Sequence, residues 1–409
     1  MAGPLRAGRA ATFASFALNG FLMGMWIVHI PEIEHRTGID HAVLGRLLLL
    51  LGAGAVAGMR IAGPLTDRAG ARTVVPLGAA LCSAALVLPG TAANAWTLGA
   101  ALTVLGIGNG VLDVAMNAHA VQVERGYGRP VMSAFHAAYS IGGVLAALAA
   151  ARTLTWDWPP AAALGAAAAL GIAAAAAIRP ALLRSGPAPD TAVPDTVPDA
   201  APGTAVRTER RRTPRRIWRL ALLALMIMLC EGVANDWSVL HLRTVLDAPA
   251  GTAAIAYGAF SVAMTTGRLL ADRVTARYGP VAVLRHGAAL AAIGLAAGAL
   301  SPWVALAITG WAVFGAGLSG CVPQLFSAAG HHDRAAAGAN VSRVAGLGYL
   351  GMLAGPGVIG PLTHVMPLNL TFFLPVAFCV AASAAAGILR PRADVGAVPA
   401  PGRESDVSA

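Results

Sequence analysis

Segments of about 20 mostly apolar residues recur along the whole sequence, each long enough to cross the roughly 30 Å hydrocarbon core of a bilayer as one helix. They fall at about 10–30, 43–65, 73–92, 95–121, 131–151, 160–178, 217–240, 253–271, 281–300, 303–328, 335–362 and 368–389, which predicts twelve spans. Backbone in lipid must satisfy its polar groups internally, so helical segments of this length imply an all-α membrane protein. Composition agrees: 57% of residues are hydrophobic and 12% charged, against roughly 25% charged in a soluble domain. A soluble multidomain enzyme is excluded on that ground. The 48 Gly and 26 Pro sit inside the apolar runs without a Gly-X-Y period, as transmembrane helices tolerate.

The formal charge is +10, and all 29 basic side chains apart from histidine are arginine. With the N-terminus inside, 20 of them fall in cytoplasmic segments: Arg6, Arg9, Arg68, Arg72, Arg125, Arg129, Arg179, Arg184, the block from Arg207 to Arg216, Arg273, Arg277, Arg334, Arg390, Arg392 and Arg403. The opposite loops hold only Arg36, Arg152 and Arg243. This bias predicts a multi-pass protein of the cytoplasmic (inner) membrane with both termini cytoplasmic. The charge thus reports orientation, and nucleic acid drops out as a partner. Arg6 and Arg9 before an apolar run imitate a secretory signal. The run is too long and leads into Pro31-Glu32-Ile33-Glu34 without a small-x-small site, so it reads as an uncleaved first span. Cys82, Cys230, Cys321 and Cys379 lie in apolar segments without CxxC spacing and read as packing residues.

Residues 179–216 interrupt the pattern with Pro180, Pro187, Pro189, Pro194, Pro198, Pro202 and Pro214, then the basic block. Such a stretch cannot bury a core, and it reads as a cytoplasmic linker. It divides the chain into a six-helix bundle at 1–178 and a second at 217–390, followed by a cytoplasmic tail at 391–409. The halves repeat. Gly63-Pro-Leu-Thr-Asp67-Arg68-Ala-Gly70-Ala-Arg72 follows span two, and Gly267-Arg-Leu-Leu-Ala-Asp272-Arg273-Val-Thr-Ala-Arg277-Tyr-Gly279 follows span eight. Trp26 and Trp237 take matching places near the ends of spans one and seven. A parallel six-plus-six repeat is one of the arrangements of secondary transporters, with the substrate site at the repeat interface.

The G-x-L-x-D-R-x-G-x-R string at Gly63–Arg72 resembles the signature loop of the major facilitator superfamily, and Gly267–Gly279 resembles its degenerate partner. Leu112–His136 and Cys230–Ser238 resemble the branch of MosC-like and YbjJ-like membrane proteins. The resemblance covers essentially the whole chain. It implies two pseudo-symmetric six-helix bundles, with a charged latch on the cytoplasmic face made of Gly63, Asp67, Arg68, Gly70, Arg72, Asp272 and Arg273. Asp67 is expected to face a helix N-terminus, where the dipole favours an anion, and to pair with neighbouring arginines. The plainer alternative is a set of charges that anchor a short inside loop. Gly351–Gly360 in span eleven resembles the superfamily's antiporter motif, which belongs in span five; span five here has only Gly142-Gly143. That displacement argues against drug/proton antiport.

Charged and amide side chains inside spans are costly and mark candidate paths. Asn109, Asp113 and Asn117 share one face of span four, and Glu231, Asn235 and Ser238 one face of span seven. Span one aligns Thr12, Ser15, Asn19 and Trp26; span ten aligns Phe314, Gly317, Cys321 and Gln324. The resemblance implies that these four helices line a central cavity. Glu231 lies near midplane and is a candidate proton carrier, or else a carboxyl that hydrogen-bonds a neighbouring helix. Asp113 and Arg343 lie at matched depth, which permits a pair between the halves, with His136 the competing partner. Arg46 and Arg60 read as snorkelling, His29, His119 and His241 as interfacial, and His331-His332-Asp333 as a polar turn rather than a metal site.

The sequence thus predicts a monomeric secondary transporter in the bilayer, moving a small-molecule substrate by alternating access, with protons as the coupling ion and no cofactor. Efflux of a metabolite or drug, and a non-transporting sensor on the same fold, remain the alternatives. An enzyme is not expected: there is no G-x-x-x-x-G-K-[ST], and a chain without Lys cannot supply its lysine.

Overall fold

The computed structural model describes residues 2–39, 41–184 and 213–390. Most of the expected linker, including Arg207–Arg212, and the whole tail with Arg392 and Arg403 lie outside the described residues. The first half comprises α1 (Ala2–Thr37), α2 (His41–Ala69), α3 (Ala71–Thr91), α4 (Ala95–Tyr127), α5 (Met132–Thr155) and α6 (Pro160–Ile178), closed by a 3-10 turn at Arg179–Ala181. The second comprises α7 (Arg215–Thr244), α8 (Ala250–Leu300), α9 (Val304–Leu318), α10 (Cys321–His332), α11 (Ala337–Leu362), α12 (Leu368–Thr371) and α13 (Phe373–Ala385), with a 3-10 turn at Ala386–Leu389.

Among the described residues, 11 helices are long and apolar enough to cross a membrane. The difference from twelve arises in α8, whose apolar stretch Ile255–Leu300 has 46 residues. At 1.5 Å per residue that is about 70 Å, twice a bilayer core. The backbone breaks at Gly279 (φ 82°, ψ 163°) just before Pro280, so α8 is two crossing arms, 250–278 and 280–300. Span ten is likewise two pieces, α9 and α10, which meet at Ser319-Gly320.

Within the first half, α1 packs on α5, α2 on α4, and α3 on α4 and α6; within the second, α7 packs on α11, and α8 on α9 and α13. The α2–α4 crossing is close because Gly54 and Gly58 on one helix meet Gly106 and Gly110 on the other, the small-residue packing that lipid-embedded helices favour. The halves meet where α2 lies against α11 and α5 against α8. These two contacts exchange under the six-span repeat, so the interface is pseudo-symmetric. Trp96, Trp156, Trp158, Trp218 and Trp303 are exposed near helix ends, as an aromatic belt requires, and Arg152 lies over the Trp156 ring.

The three histidines expected at the interface are instead buried. His119 Nε2 accepts from the Leu183 backbone N–H at 3.0 Å, leaving Nδ1 against the Thr12 hydroxyl at 2.9 Å. His241 receives the Trp311 indole N–H at 3.3 Å beside Phe372, and His29 Nδ1 lies 2.8 Å from Met25 O within its own helix. Hydropathy places a residue along a span but not around it, and these three point into their bundles.

The turns after the two signature segments use the same backbone. Gly70 (φ 76°, ψ 149°) precedes α3 as Gly279 precedes the second arm of α8. That region is essentially restricted to glycine. Gly70→Ala and Gly279→Ala should each destabilise by about 1–3 kcal/mol, read as a lowered unfolding midpoint of the purified protein; unchanged midpoints would show that the turns are not strained by a side chain.

Candidate functional site

One end of the molecule is closed by two matching contacts between the halves. The N-cap positions of α5 and α11 are Val131 and Ala336, neither of which makes a side-chain cap. The first turns of both helices therefore lack an acceptor of their own. The other half supplies it. Asp67, at the end of α2, accepts from Gly338 N at 2.6 Å and Ala339 N at 2.9 Å. Asp272, in the first arm of α8, accepts from Ser133 N at 2.9 Å and Ala134 N at 2.7 Å. In each case the carboxylate holds the second and third amides of the helix, and the dipole there favours an anion.

Three further contacts close the same end. Glu124 at the end of α4 accepts from Val131 N and Met132 N, both at 3.0 Å, and from the Ser327 hydroxyl of α10. Arg125 donates to Gly330 O. The Ser342 hydroxyl of α11 donates to Met59 O at 2.6 Å. Gly63 permits this approach: a Cβ there would stand 2.7 Å from Ser342 Cβ. Gly267 makes its close approach within the second half instead, against Ser319 at the end of α9.

At mid-height a polar layer crosses both halves. The Thr12–His119 contact sets the register of α1 against antiparallel α4 and brings Asn19 level with Asp113. Asn19 is fully buried, and neither its amide nitrogen nor its oxygen has a partner. Asn109, Asp113 and Asn117 are all buried. Asn117 Nδ2 donates to Asp113 O at 2.9 Å and, more loosely, to Oδ1 at 3.4 Å. Asp113 Oδ2, Asn109 Oδ1 and Asn117 Oδ1 are left without partners. Tyr349 of α11 faces Asn109, and Tyr139 of α5 lies within electrostatic reach of Asp113, Glu231 and Arg268. From the second half, Arg268 donates to Glu231 Oε1 at 3.2 Å and crosses to the Ser140 hydroxyl at 3.1 Å. One turn along the same face of α7, Asn235 is exposed. All the cross-half bonds named lie at mid-height or at the closed end.

Several sequence expectations are corrected here. Arg343 does not reach Asp113. Its guanidinium donates to Asn340 Oδ1 at 3.3 Å and lies within electrostatic reach of Asp67, because α11 starts at the closed end. His136 does not pair with Asp113 either; it packs between Phe16 and Phe326 with Nε2 unpartnered. Arg68, Arg72 and Arg273 make no ion pair with Asp67 or Asp272, whose oxygens are taken by backbone amides. Gln324 donates to the Thr275 hydroxyl at 3.1 Å, tying α10 to α8, and Phe314 and Cys321 are core, so the stripe on span ten packs rather than lines. Trp26 is 2% exposed and also belongs to the core.

The sequence assigns no site role to Arg268, Glu124, Arg125, Tyr139 or Tyr349. For Arg268 a signal existed: an arginine inside an apolar span, opposite a span with Glu231, calls for that carboxylate as partner. The others are ordinary residues near span ends or in aromatic positions, and only the fold brings them in.

Two expectations follow. Removing the charge at Asp67→Asn keeps one acceptor and loses one charge-assisted bond, worth about 1.5 kcal/mol or more. The closed-to-open ratio should fall roughly tenfold, seen as a larger share of long distances between spin labels at positions 73 and 334; an unchanged distance distribution would show that Asp67 does not hold the halves. Breaking the part-buried Glu231–Arg268 pair strands a charge, at a cost below the roughly 3–5 kcal/mol of a fully buried pair. Arg268→Gln should therefore lower the unfolding midpoint, and adding Glu231→Gln should restore most of it; an additive loss in the double variant would show that the two do not act as a pair.

Comparison with known proteins agrees with this architecture. Residues 12–356 match the family model of the Major Facilitator Superfamily. An uncharacterized MFS-type transporter of Yersinia pestis is 34% identical over 368 residues, spanning 89% of this chain and 91% of that protein. Membrane protein MosC of Rhizobium meliloti is 28% identical over 368 residues, 90% of this chain and 86% of that one. Among solved structures, FucP in its outward conformation, the fucose:proton symporter of E. coli, superposes with a TM-score of 0.74 at 16% identity, covering 93% of this chain and 98% of that chain. With a family model spanning most of its length and a relative above 30% identity across nearly all of it, the chain belongs to the Major Facilitator Superfamily.

Proposed function

We propose that this transporter is a secondary carrier of the cytoplasmic membrane that moves a small, uncharged, polyhydroxylated solute by alternating access, with protons as the coupling ion. The reading rests on one observation: a mid-height polar layer in which Asp113 Oδ2 has no partner, shut off at one end by paired contacts between the halves. With the arginine-rich loops at that closed end, both termini are cytoplasmic and the structure is outward-facing. Asp67 and Asp272 are the latch, and opening it requires both carboxylates to leave the starts of α11 and α5.

The chemistry of the layer supports the solute class. The Arg268 charge is taken by Glu231, so among the described residues the layer offers no unpaired cation to an anionic solute. The unpartnered atoms of α4 are acceptors, on Asn109, Asp113 and Asn117, and they call for a solute rich in donors. Hydroxyl groups fit, in keeping with the fucose that FucP is described as carrying. A buried carboxylate without a cation is costly, and gaining a proton removes that cost. Asp113 is therefore the carrier of the coupling proton, in place of Glu231, whose oxygen is held by Arg268.

The test uses cells energised by a proton gradient and a panel of sugars and polyols. A transported solute should make the medium more alkaline as protons enter with it; acidification would indicate antiport and efflux, and binding without flux would indicate a sensor. With that solute, Asp113→Asn should retain exchange between the two sides and lose uphill accumulation, which should fall to equilibration. Undiminished accumulation by Asp113→Asn would refute its role.

A further inference from the structure

We propose that the closed end carries a binding site for the headgroup of an anionic phospholipid, formed by Arg72, Arg179 and Arg184. These three line a cavity of about 560 Å³ with Ala176 and Pro180, where the start of α3 meets the end of α6. Among the described residues no acidic side chain lines it. Arg72 is half-buried at its floor, and Arg179 and Arg184 are exposed at its rim.

Some arginines elsewhere in the molecule are held by acceptors of the fold. Arg36 donates to three carbonyls at the end of α3, Arg125 to Gly330 O, and Arg343 to Asn340. Among the described residues the three at this cavity have no acceptor, and guanidinium groups gathered round one space repel each other unless an anion lies between them. The rim is also fixed in place. Gln122 donates to Arg184 O at 3.0 Å, His119 takes the Leu183 N–H at 3.0 Å, and Leu182 is 2% exposed. The site is thus held ready before an anion arrives.

The apolar surface beside it selects a lipid over a soluble anion. Ile172, Ala176 and Arg179 follow each other at i, i+4, i+7 on one exposed stripe of α6, with Leu170 exposed nearby. An acyl chain lying along that stripe brings its phosphate to the arginine rim, where guanidinium groups bind phosphate oxygens in pairs. The depth matches as well, since the end of a span lies at headgroup level.

The delipidated full chain, titrated with dioleoylphosphatidylglycerol or dioleoylphosphatidylcholine and read by native mass spectrometry, tests this. Phosphatidylglycerol should bind at least tenfold more tightly than phosphatidylcholine. The double variant Arg179→Gln/Arg184→Gln should lose that preference, and Arg179→Lys/Arg184→Lys, which keeps the charge, should retain most of it. Arg277→Gln/Arg285→Gln, which removes equal charge from the other half, should bind like the parent. Equal preference in both Gln pairs would overturn the proposal, leaving the arginines as orientation anchors only. Displacement of the lipid by millimolar inorganic phosphate would also overturn it, in favour of a soluble anion site. If the Gln pair proves unstable, Arg184→Gln alone should still weaken phosphatidylglycerol binding severalfold, and an unchanged affinity there counts against the site.

Discussion

The two helices that start at the closed end, α5 and α11, have no caps of their own, and each borrows a carboxylate from the opposite half. A helix start carries unsatisfied amides and the positive end of the dipole. When Asp67 and Asp272 lie against those amides, the closed interface satisfies four donors and two charges together. When the halves part at this end, all of these groups must turn to water or to other partners. Closure is thereby tied to the internal structure of both bundles rather than to a surface ion pair, whose worth would be small. Glu124 completes the arrangement at α5, where it takes the two amides that Asp272 does not.

The same pseudo-symmetry organises the rest. The α2–α11 and α5–α8 contacts are exchanged by the repeat, and each carries one aspartate and one helix start. The mid-height layer breaks that symmetry. Asn109, Asp113 and Asn117 come from the first half with acceptors unspent, whereas Glu231 and Arg268 of the second half satisfy each other. The Arg268–Ser140 bond joins the two sides at the level of the layer, so parting the halves there must break it.

Much of this was legible in the sequence. Span positions and the aspartates of the signature segments follow from hydropathy and spacing; Asn109, Asp113, Asn117 and Glu231 stand at mid-height, whereas Asn235 on the same face of α7 is exposed. The partner of Asp67 was half legible: a helix start was expected, but so were neighbouring arginines, which the structure leaves apart. What failed was rotation and depth. Hydropathy does not say which way Gln324, Trp26 or His119 points around its helix, and all three face their own bundle. Equal depth suggested Asp113 with Arg343, but contact also requires the two helices to present those faces to each other. The merged α8 shows the converse error, since a glycine turn short enough to keep the backbone bonded hides a loop that hydropathy had separated correctly.

The account stands most directly on whether the two carboxylates cap helix starts across the interface and do so together. Hydrogen exchange over residues 336–342 and 131–137 measures this, in the parent and in Asp67→Asn. The account predicts slow exchange at both starts in the parent and faster exchange at both in the variant, although only the α11 contact is altered, because opening releases the pair. Exchange that quickens at 336–342 alone, or at neither start, would contradict it.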